Sequence, residues 1–553
     1  MSTVVVSACE LSVQDEPVVI VRDLEFHFAN GESLWPALSF KLGREATGLV
    51  GRNGVGKSLL AQLLMHSLSP SGGSIDWLGR VGYLSQLPDR DRCTVAQEFA
   101  LEKPLAAYQR VLDGSTTQQD FELLESHWDL SERLEDLREQ LNYPDLSWDT
   151  PLCDLSGGQQ MRLRLQAVLM ESPDYLILDE PSNHLDQNAR IWLKKQVADL
   201  CERGCGVLVI SHDRDLLNQM SCTLELTSLG IRRYGGGFDS YFQYKQAELD
   251  AGERKLEQSK RQLKKQCAIK QERLEKQQKS EKRGKAKLAG GGFARFAKQD
   301  MKSRGEKTLT RNNTLEQDRI GKARQQLHQA KQSMEWIKPI GLSLETTRLP
   351  NAKRVIQMHQ LSVGFSQLTP PILHVNELAI YGSHRIWLQG ANGSGKSTFL
   401  KTLAGQLSAL DGQCYVGVKT AYLDQQLALL SLEQSAVENF QRLAPGLASV
   451  EYRSRLAWLR LRRDKAEFAV KELSCGERLK VALACALLGP EPAQLLLLDE
   501  PNNHLDLESL LALESALCEY RGALILVSHD ATLAAGIGID SHWSVVDGKL
   551  YCS

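Results

Sequence analysis

Two octapeptides in this chain have the residue types and spacing to hold the phosphates of a nucleotide. They are Gly51-Arg52-Asn53-Gly54-Val55-Gly56-Lys57-Ser58 and Gly390-Ala391-Asn392-Gly393-Ser394-Gly395-Lys396-Ser397, the second followed by Thr398. Glycines let successive backbone N–H groups face one anion, the lysine reaches the β- and γ-phosphates, and the serine hydroxyl ligates Mg²⁺. The first loop follows the apolar run Gly48-Leu49-Val50 and precedes Leu59, Leu60, Leu63 and Leu64. That is a strand leading into a helix whose N-terminal dipole favours an anion.

Further groups follow each loop in one order. Tyr83-Leu84-Ser85-Gln86 ends a predicted strand with an amide suited to a Mg²⁺ or water contact, and Leu155-Ser156-Gly157-Gly158-Gln159 opens a predicted helix. Tyr175-Leu176-Ile177-Leu178 is an apolar strand delivering Asp179 and Glu180; Val207-Leu208-Val209-Ile210 delivers Ser211, His212 and Asp213. Asp179 suits a supporting role at Mg²⁺, Glu180 can polarise an attacking water, and His212 can sense the γ-phosphate. Taken singly, each has a plainer reading. Gln86 is a polar residue at a strand end, His212 a buried histidine satisfied by a neighbour, and Asp179 with Glu180 a helix cap and first-turn acid. Six pieces in this order remove coincidence as an account.

The series then recurs: Gln425, Leu473-Ser474-Cys475-Gly476-Glu477, Asp499 and Glu500 after the leucine run 495–498, and His529. Lys57 to Lys396 and Gln86 to Gln425 are both 339 residues apart, whereas Ser156 to Ser474 is 318, Glu180 to Glu500 is 320 and His212 to His529 is 317. A fixed offset that drops by about 21 identifies a duplicated domain whose first copy carries an insertion before Ser156. The polar segment 113–145, with Leu123, Leu124, Leu130, Leu134, Leu137 and Leu141, fits a small helical insertion.

With Leu155-Ser156-Gly157-Gly158-Gln159 beside a phosphate loop, the sequence resembles the ATP-binding cassette superfamily. Glu180-Pro181-Ser182-Asn183-His184-Leu185-Asp186 and Glu500-Pro501-Asn502-Asn503-His504-Leu505-Asp506, in two cassettes of one chain, resemble the ABC-F proteins. The resemblance implies an α/β fold: two nucleotide-binding domains, 1–241 and 353–553, each with a phosphate-loop core and a helical subdomain. A helical-hairpin linker at 242–352 joins them. It implies ATP and Mg²⁺ as cofactors, ATP hydrolysis, and Phe28 and Phe365 stacking on adenine, with Phe28 as plain core the alternative. It also implies that each signature closes over the other cassette's loop. One site then combines Lys57, Ser58, Gln86, Glu180 and His212 with Ser474, Gly476 and Glu477. The other combines Lys396, Ser397, Gln425, Glu500 and His529 with Ser156, Gly157, Gly158 and Gln159. Cys475 departs from the family's glycine: a side chain where backbone should approach phosphate weakens the first site and makes the two unequal. Its being harmless, glycine there serving packing as well, is the alternative. Such proteins are cytoplasmic monomers with an intramolecular cassette dimer, and most are ribosome-associated factors that tune translation or protect against antibiotics.

Size and composition agree. A chain of 553 residues exceeds what one core usually supports, and 42% hydrophobic with 24% charged residues is an ordinary globular composition. No stretch approaches the ~18 apolar residues of a membrane span, and the first residues lack the features of a secretory signal. The 12 cysteines are scattered, Cys201 and Cys205 being the closest pair, and read as reduced, small buried hydrophobes.

Between the cassettes the charge changes sign. Residues 245–338 hold 26 Lys or Arg against 12 Asp or Glu in a chain of net charge −2. Leu249, Leu256 and Leu263, then Ile320, Leu327 and Met334, and Ala323, Ala330 and Ile337, recur every seven residues, as in an antiparallel two-helix coiled coil. Its tip, 264–313, holds 16 basic and 5 acidic residues around Gly290-Gly291-Gly292, Phe293 and Phe296, and three or four helical turns of stem plus the tip project ~40 Å at 1.5 Å per residue. Positive charge concentrated at one end favours nucleic-acid backbone over a merely solvated face. Through the resemblance the partner is the ribosome, its RNA and tRNA. A DNA-metabolism ATPase is the alternative, separable by the nucleic acid that co-purifies, and a transporter motor is a third, separable by membrane fractionation. Neutralising Lys282, Arg283, Lys285 and Lys287 together is expected to weaken ribosome binding and flatten its salt dependence by up to ~0.9 in slope per lost phosphate contact. Basal ATPase is expected to persist; co-sedimentation across a salt series checks this.

Overall fold

The computed structural model describes residues 18–85, 93–114, 116–125, 127–183, 185–289, 321–322, 324–325, 344–365, 370–459, 461, 464–502 and 505–552. The chain divides into two units: Met1–Asp239 with Pro339–Ser553, and Ser240–Lys338.

The larger unit contains both cassettes. In the first, six strands form a sheet in the order Val81–Leu84, Tyr175–Asp179, Gly206–Ile210, Ala46–Val50, Cys222–Thr227 and Gly230–Gly235. The first five run parallel and the last is antiparallel. All five residues are buried in each of Ala46–Val50, Tyr175–Asp179 and Gly206–Ile210. Parallel strands covered on both faces have no solvent side, so they read as unbroken apolar runs. A separate antiparallel sheet, Leu38–Leu42, Val19–Glu25 and Gly72–Trp77, packs with this core through Val19, Val21, Leu24 and Leu38. Strand Val19–Glu25 ends before Phe28, whose N–H donates to Glu32 O at 2.9 Å.

The second cassette repeats this order, with its two sheets joined into one of nine strands through the pair His374↔Lys549. Residues 344–352, counted with the linker from sequence, belong to this cassette. Leu344 and Leu349 are buried in its core clusters because their apolar side chains have the cassette's helices and strands to pack against.

Helices Gln118–Leu124 and Leu130–Leu141 occupy the segment 113–145 of the first cassette. Leu124 and Leu130 belong to one small cluster and Leu134, Leu137 and Leu141 to another, while Leu123 is exposed.

The smaller unit contains most of one 52-residue helix, Phe238–Ala289. Gly252, Leu256, Ser259, Leu263 and Gln266 are half-buried, and the described residues between them are exposed. Spacings of four and three are the seam period of a coiled coil. The expected boundary between stem and tip at 264 is not a helix end: the helix continues to Ala289, ~78 Å at 1.5 Å per residue. Lys, Gln, Glu, Arg and Ala dominate 264–289, all strong helix formers, and Gly284 alone costs only about 1 kcal/mol. The anticipated glycine break, Phe293 and Phe296, and the sevenfold positions from Ile320 to Ile337 lie outside the described residues.

Among the described residues, no helix is long and apolar enough to cross a membrane. The cysteines correct the sequence reading in part. Cys93, Cys205, Cys222 and Cys485 are buried, but Cys153, Cys267, Cys475, Cys518 and Cys552 are exposed, because they fall on loops, edges and outward helix faces.

Candidate nucleotide-binding sites

Strand register gathers the chemistry. Leu49 and Asp179 are both register partners of Ile210, so three adjacent parallel strands end in one row. The phosphate loop, Glu180 and His212 therefore leave the same sheet edge, the carboxyl edge where open parallel sheets bind ligands. Leu388, Val527 and Asp499 form the equivalent row in the second cassette.

At that edge the loops demand glycine. Gly56 has φ 95°, and a Cβ there would lie 2.1 Å from the Trp35 ring; Gly395 has φ 94°, with Ile372 Cγ2 2.7 Å from a Cβ. Each loop lysine is buried and points along its own loop. Lys57 Nζ donates to Gly51 O at 2.8 Å and Arg52 O at 3.2 Å, and Lys396 Nζ to Gly390 O and Ala391 O at 2.8 Å each. Burial lowers both ammonium pKa values.

The carboxylates are held under strain. Glu180 and Glu500 have φ 50° and 49°, a left-handed conformation that costs a non-glycine residue about 1–3 kcal/mol. Their backbone N–H groups donate to Ile210 O and Val527 O at 2.8 and 2.9 Å, which fixes them there. His212 Nε2 stands 3.4 Å from Glu180 Oε1, and His529 Nε2 stands 3.3 Å from Glu500 Oε1. Neither ring nitrogen of His212 makes a hydrogen bond, nor does either carboxylate oxygen of Glu500. The neighbour of His212 is thus Glu180, at a distance longer than a good hydrogen bond. Burial pushes the Glu180 carboxyl up, with Lys57 opposing, and pushes His212 down, with Lys57 reinforcing. The second pair moves the same way: burial takes Glu500 up to about 7, against Arg190, and His529 down to about 4. The histidines are thus neutral acceptors or donors at neutral pH.

Asp179 and Asp499 end their strands, which rules out the helix-cap reading; Asp186 and Asp506 are the caps. Burial raises the Asp179 carboxyl pKa while the Ser58 hydroxyl lowers it, so two residues assigned to Mg²⁺ from sequence act on each other. Asp179 Oδ1 is buried without a partner. No cluster of three or more His, Cys, Asp or Glu occurs among the described residues. A Mg²⁺ that keeps waters and shares nucleotide phosphates needs only such a serine and carboxylate, so the donor set fits. Gln425 lines the second cavity; Gln86 lies outside the described residues, as do His184, Asn503 and His504.

The first cavity, ≈ 550 Å³, is lined by Phe28, Gly54, Lys57, Ser58, Glu180 and His212 from its own cassette, and by Cys475, Asn502 and Asp530 from the other. Phe28 is 42% exposed at its rim, so it is not plain core. The second cavity, ≈ 350 Å³, has Phe365, Lys396, Ser397, Thr398, Asp499 and Glu500 among its lining, all from its own cassette. Ser156, Gly157, Gly158 and Gln159 are not part of it. Ser156 and Gln159 form a capping box, and Gln159 Nε2 donates to Leu141 O at 3.1 Å. Ser474 and Glu477 cap the equivalent helix, and Glu477 pairs with Lys465. Gly476 is buried where a Cβ would fall 2.0 Å from Ser509 Oγ, so this glycine permits helix packing. Cys475 is the signature residue that reaches the first cavity.

Contacts across the two cassettes were missed from sequence. Asn53 N donates to Asp506 Oδ2 at 3.0 Å, Arg52 Nε lies 2.7 Å from Glu508 Oε2, and Arg214 Nη2 lies 2.8 Å from Glu514 Oε2. Tyr83 and Tyr422, which donate to Asp179 and Asp499 at 3.4 and 3.0 Å, were also missed. Those tyrosines share the 339-residue offset of Gln86 and Gln425, a signal that could have found them.

The ABC transporter family model matches residues 37–183 and 373–503, one match per cassette. The probable ATP-binding protein YheS of Haemophilus influenzae is 33% identical over 96% of this chain and 80% of its own length. The tylosin resistance ATP-binding protein TlrC of Streptomyces fradiae is 30% identical over 91% and 93%. ABC transporter F family member 2 of Arabidopsis thaliana is 27% identical over 94% and 73%. The chain belongs to the ABC-F family. It is an ATP-binding, twin-cassette ATPase. The same twin-cassette fold, with TM-score 0.57 and 18% identity over 96% of this chain and 89% of the other, occurs in the archaeal ribosome recycling factor aABCE1, solved with the ribosomal stalk protein aP1.

In this ABC-F protein, Gly476→Ala is expected to destabilise by about 1–3 kcal/mol through overpacking and to lower ATPase activity. Adding Ser509→Gly, which removes the clashing atoms and keeps the capping N–H, should restore both; thermal melts and phosphate release check the pair.

Proposed function

We propose that this ABC-F ATPase is a cytoplasmic ribosome factor whose basic linker segment occupies a tRNA site, and whose cassettes close on ATP and separate on hydrolysis. It acts in translation or in protection of the ribosome from antibiotics. The observation that carries the reading is the composite first cavity, where residues of the second cassette stand against Lys57, Glu180 and His212. A nucleotide seated in such a cavity links its own state to the relative position of two domains. The basic segment 264–313, the relative named for tylosin resistance, and the shared fold of a ribosome recycling factor support the ribosome as the partner.

In the proposed mechanism Lys57 and Lys396 bind β- and γ-phosphates, and loop N–H groups fix their orientation. Phe28 and Phe365 flank the base. Ser58 and Asp179, or Ser397 and Asp499, would hold a Mg²⁺, which would neutralise phosphate charge. Glu180 and Glu500 each orient and polarise a water, and the neutral imidazoles of His212 and His529 donate toward the γ-phosphate. Burial that excludes bulk water strengthens each of these contacts.

Replacing both carboxylates, Glu180→Gln with Glu500→Gln, is expected to lower hydrolysis by about 10²–10⁴-fold and to hold the protein on ribosomes when ATP is present. Co-sedimentation at low salt is the check. Protein that stays in the soluble fraction with ATP bound contradicts the ribosome assignment.

A further inference from the structure

The seam between the cassettes carries fixed charges that the internal repeat does not share. Arg52 lies on the first phosphate loop and pairs with Glu508 at 2.7 Å, with side chains 39% and 21% exposed. The next residue of the same loop, Asn53, donates its N–H to Asp506, two residues before Glu508. A second pair, Arg214 with Glu514 at 2.8 Å, is more buried. Both arginines belong to the first cassette and both glutamates to the second.

The repeat offsets identify the equivalent positions. Arg52 corresponds to Ala391 and Glu508 to Asn188; Arg214 corresponds to Ala531 and Glu514 to Lys194. Across the second site, the counterpart of the Arg52 contact would bring together Ala391 and Asn188, which carry no charge. The counterpart of the Arg214 contact would bring together Ala531 and Lys194, and Lys194 is instead engaged within its own cassette by Asp215 at 3.2 Å. Asp215 in turn accepts from Thr532 Oγ1 at 3.0 Å. The Arg52–Glu508 pair at the first loop thus has an uncharged counterpart, Ala391 and Asn188, at the second, where Asp186 and Arg190 of the first cassette act instead on Lys396 and Glu500.

We propose that Arg52 and Glu508 are a positioning pair for the first ATP site, one that ties the placement of its phosphate loop to the opposite cassette and has no counterpart at the second site. The inference rests on the two-site reading above. A loop that binds phosphates while anchored from across the seam releases nucleotide only when that anchor also breaks. Nucleotide therefore leaves the first site more slowly than the second. An exposed ion pair contributes little by itself, but this one is partly shielded and adjoins a second bond on the same loop, so the two contacts reinforce each other.

The test uses the full chain carrying Glu180→Gln and Glu500→Gln, loaded with labelled ATP and Mg²⁺ and chased with unlabelled ATP. The expected release is biphasic with equal amplitudes, and Lys57→Ala removes the slow phase. Arg52→Ala or Glu508→Ala should each accelerate the slow phase about tenfold, within the range for residues in contact. The reversal Arg52→Glu with Glu508→Arg should restore it, which a general loss of loop structure would not allow. Two ATP per chain leaving in a single phase, a slow phase that Arg52→Ala does not alter, or a reversal as fast as either single variant overturns the pairing. Fewer than two ATP bound per chain before the chase overturns the two-site reading beneath it.

Discussion

Three neighbouring parallel strands, hydrogen-bonded so that Leu49, Ile210 and Asp179 lie in one row, determine where chemistry can occur in the first cassette. Because the strands are covered on both faces, their side chains are spent on the core, and polar groups can emerge only where the strands end. The phosphate loop, the paired acids and the histidine emerge together because the register leaves them no other edge. The second cassette repeats the row with Leu388, Val527 and Asp499. Displacing one strand would separate the lysine from the carboxylate without touching either residue.

That edge is arranged at a cost to stability. A glutamate with φ near 50° and a buried histidine that makes no hydrogen bond each oppose folding. Unsatisfied buried groups cost about 1–3 kcal/mol apiece, and the backbone strain is of similar size. Both cassettes carry the strained glutamate and the same close acid–histidine pair. Such costs, repeated at equivalent positions in a duplicated domain, belong to a site prepared for a charged ligand rather than to packing.

Much of this was legible in the sequence, for physical reasons. Glycine at Gly56 and Gly395 is required by backbone geometry, and strands buried on both faces announce themselves as runs such as Tyr175 to Leu178. The 339-residue offset paired the two loops before any fold was known. Less legible was anything set by the meeting of the two cassettes. Arg52 and Glu508 are 456 positions apart, and neither pattern nor spacing connects them. Charge composition placed a stem boundary at 264, but helix propensity carried the helix to Ala289. Cys475, read as a disturbance to phosphate approach, is the one signature side chain that reaches the first cavity, because Ser474 and Glu477 are occupied in capping their helix.

If residues of the second cassette complete the first nucleotide site, Cys475, which lines that cavity, reports on it directly. Alkylation of Cys475, followed by peptide mass spectrometry in the hydrolysis-deficient double glutamine variant, should slow when ATP and Mg²⁺ are added. That protection should vanish on Lys57→Ala and survive Lys396→Ala. Equal alkylation with and without bound ATP, or protection that follows Lys396 instead of Lys57, would contradict the account.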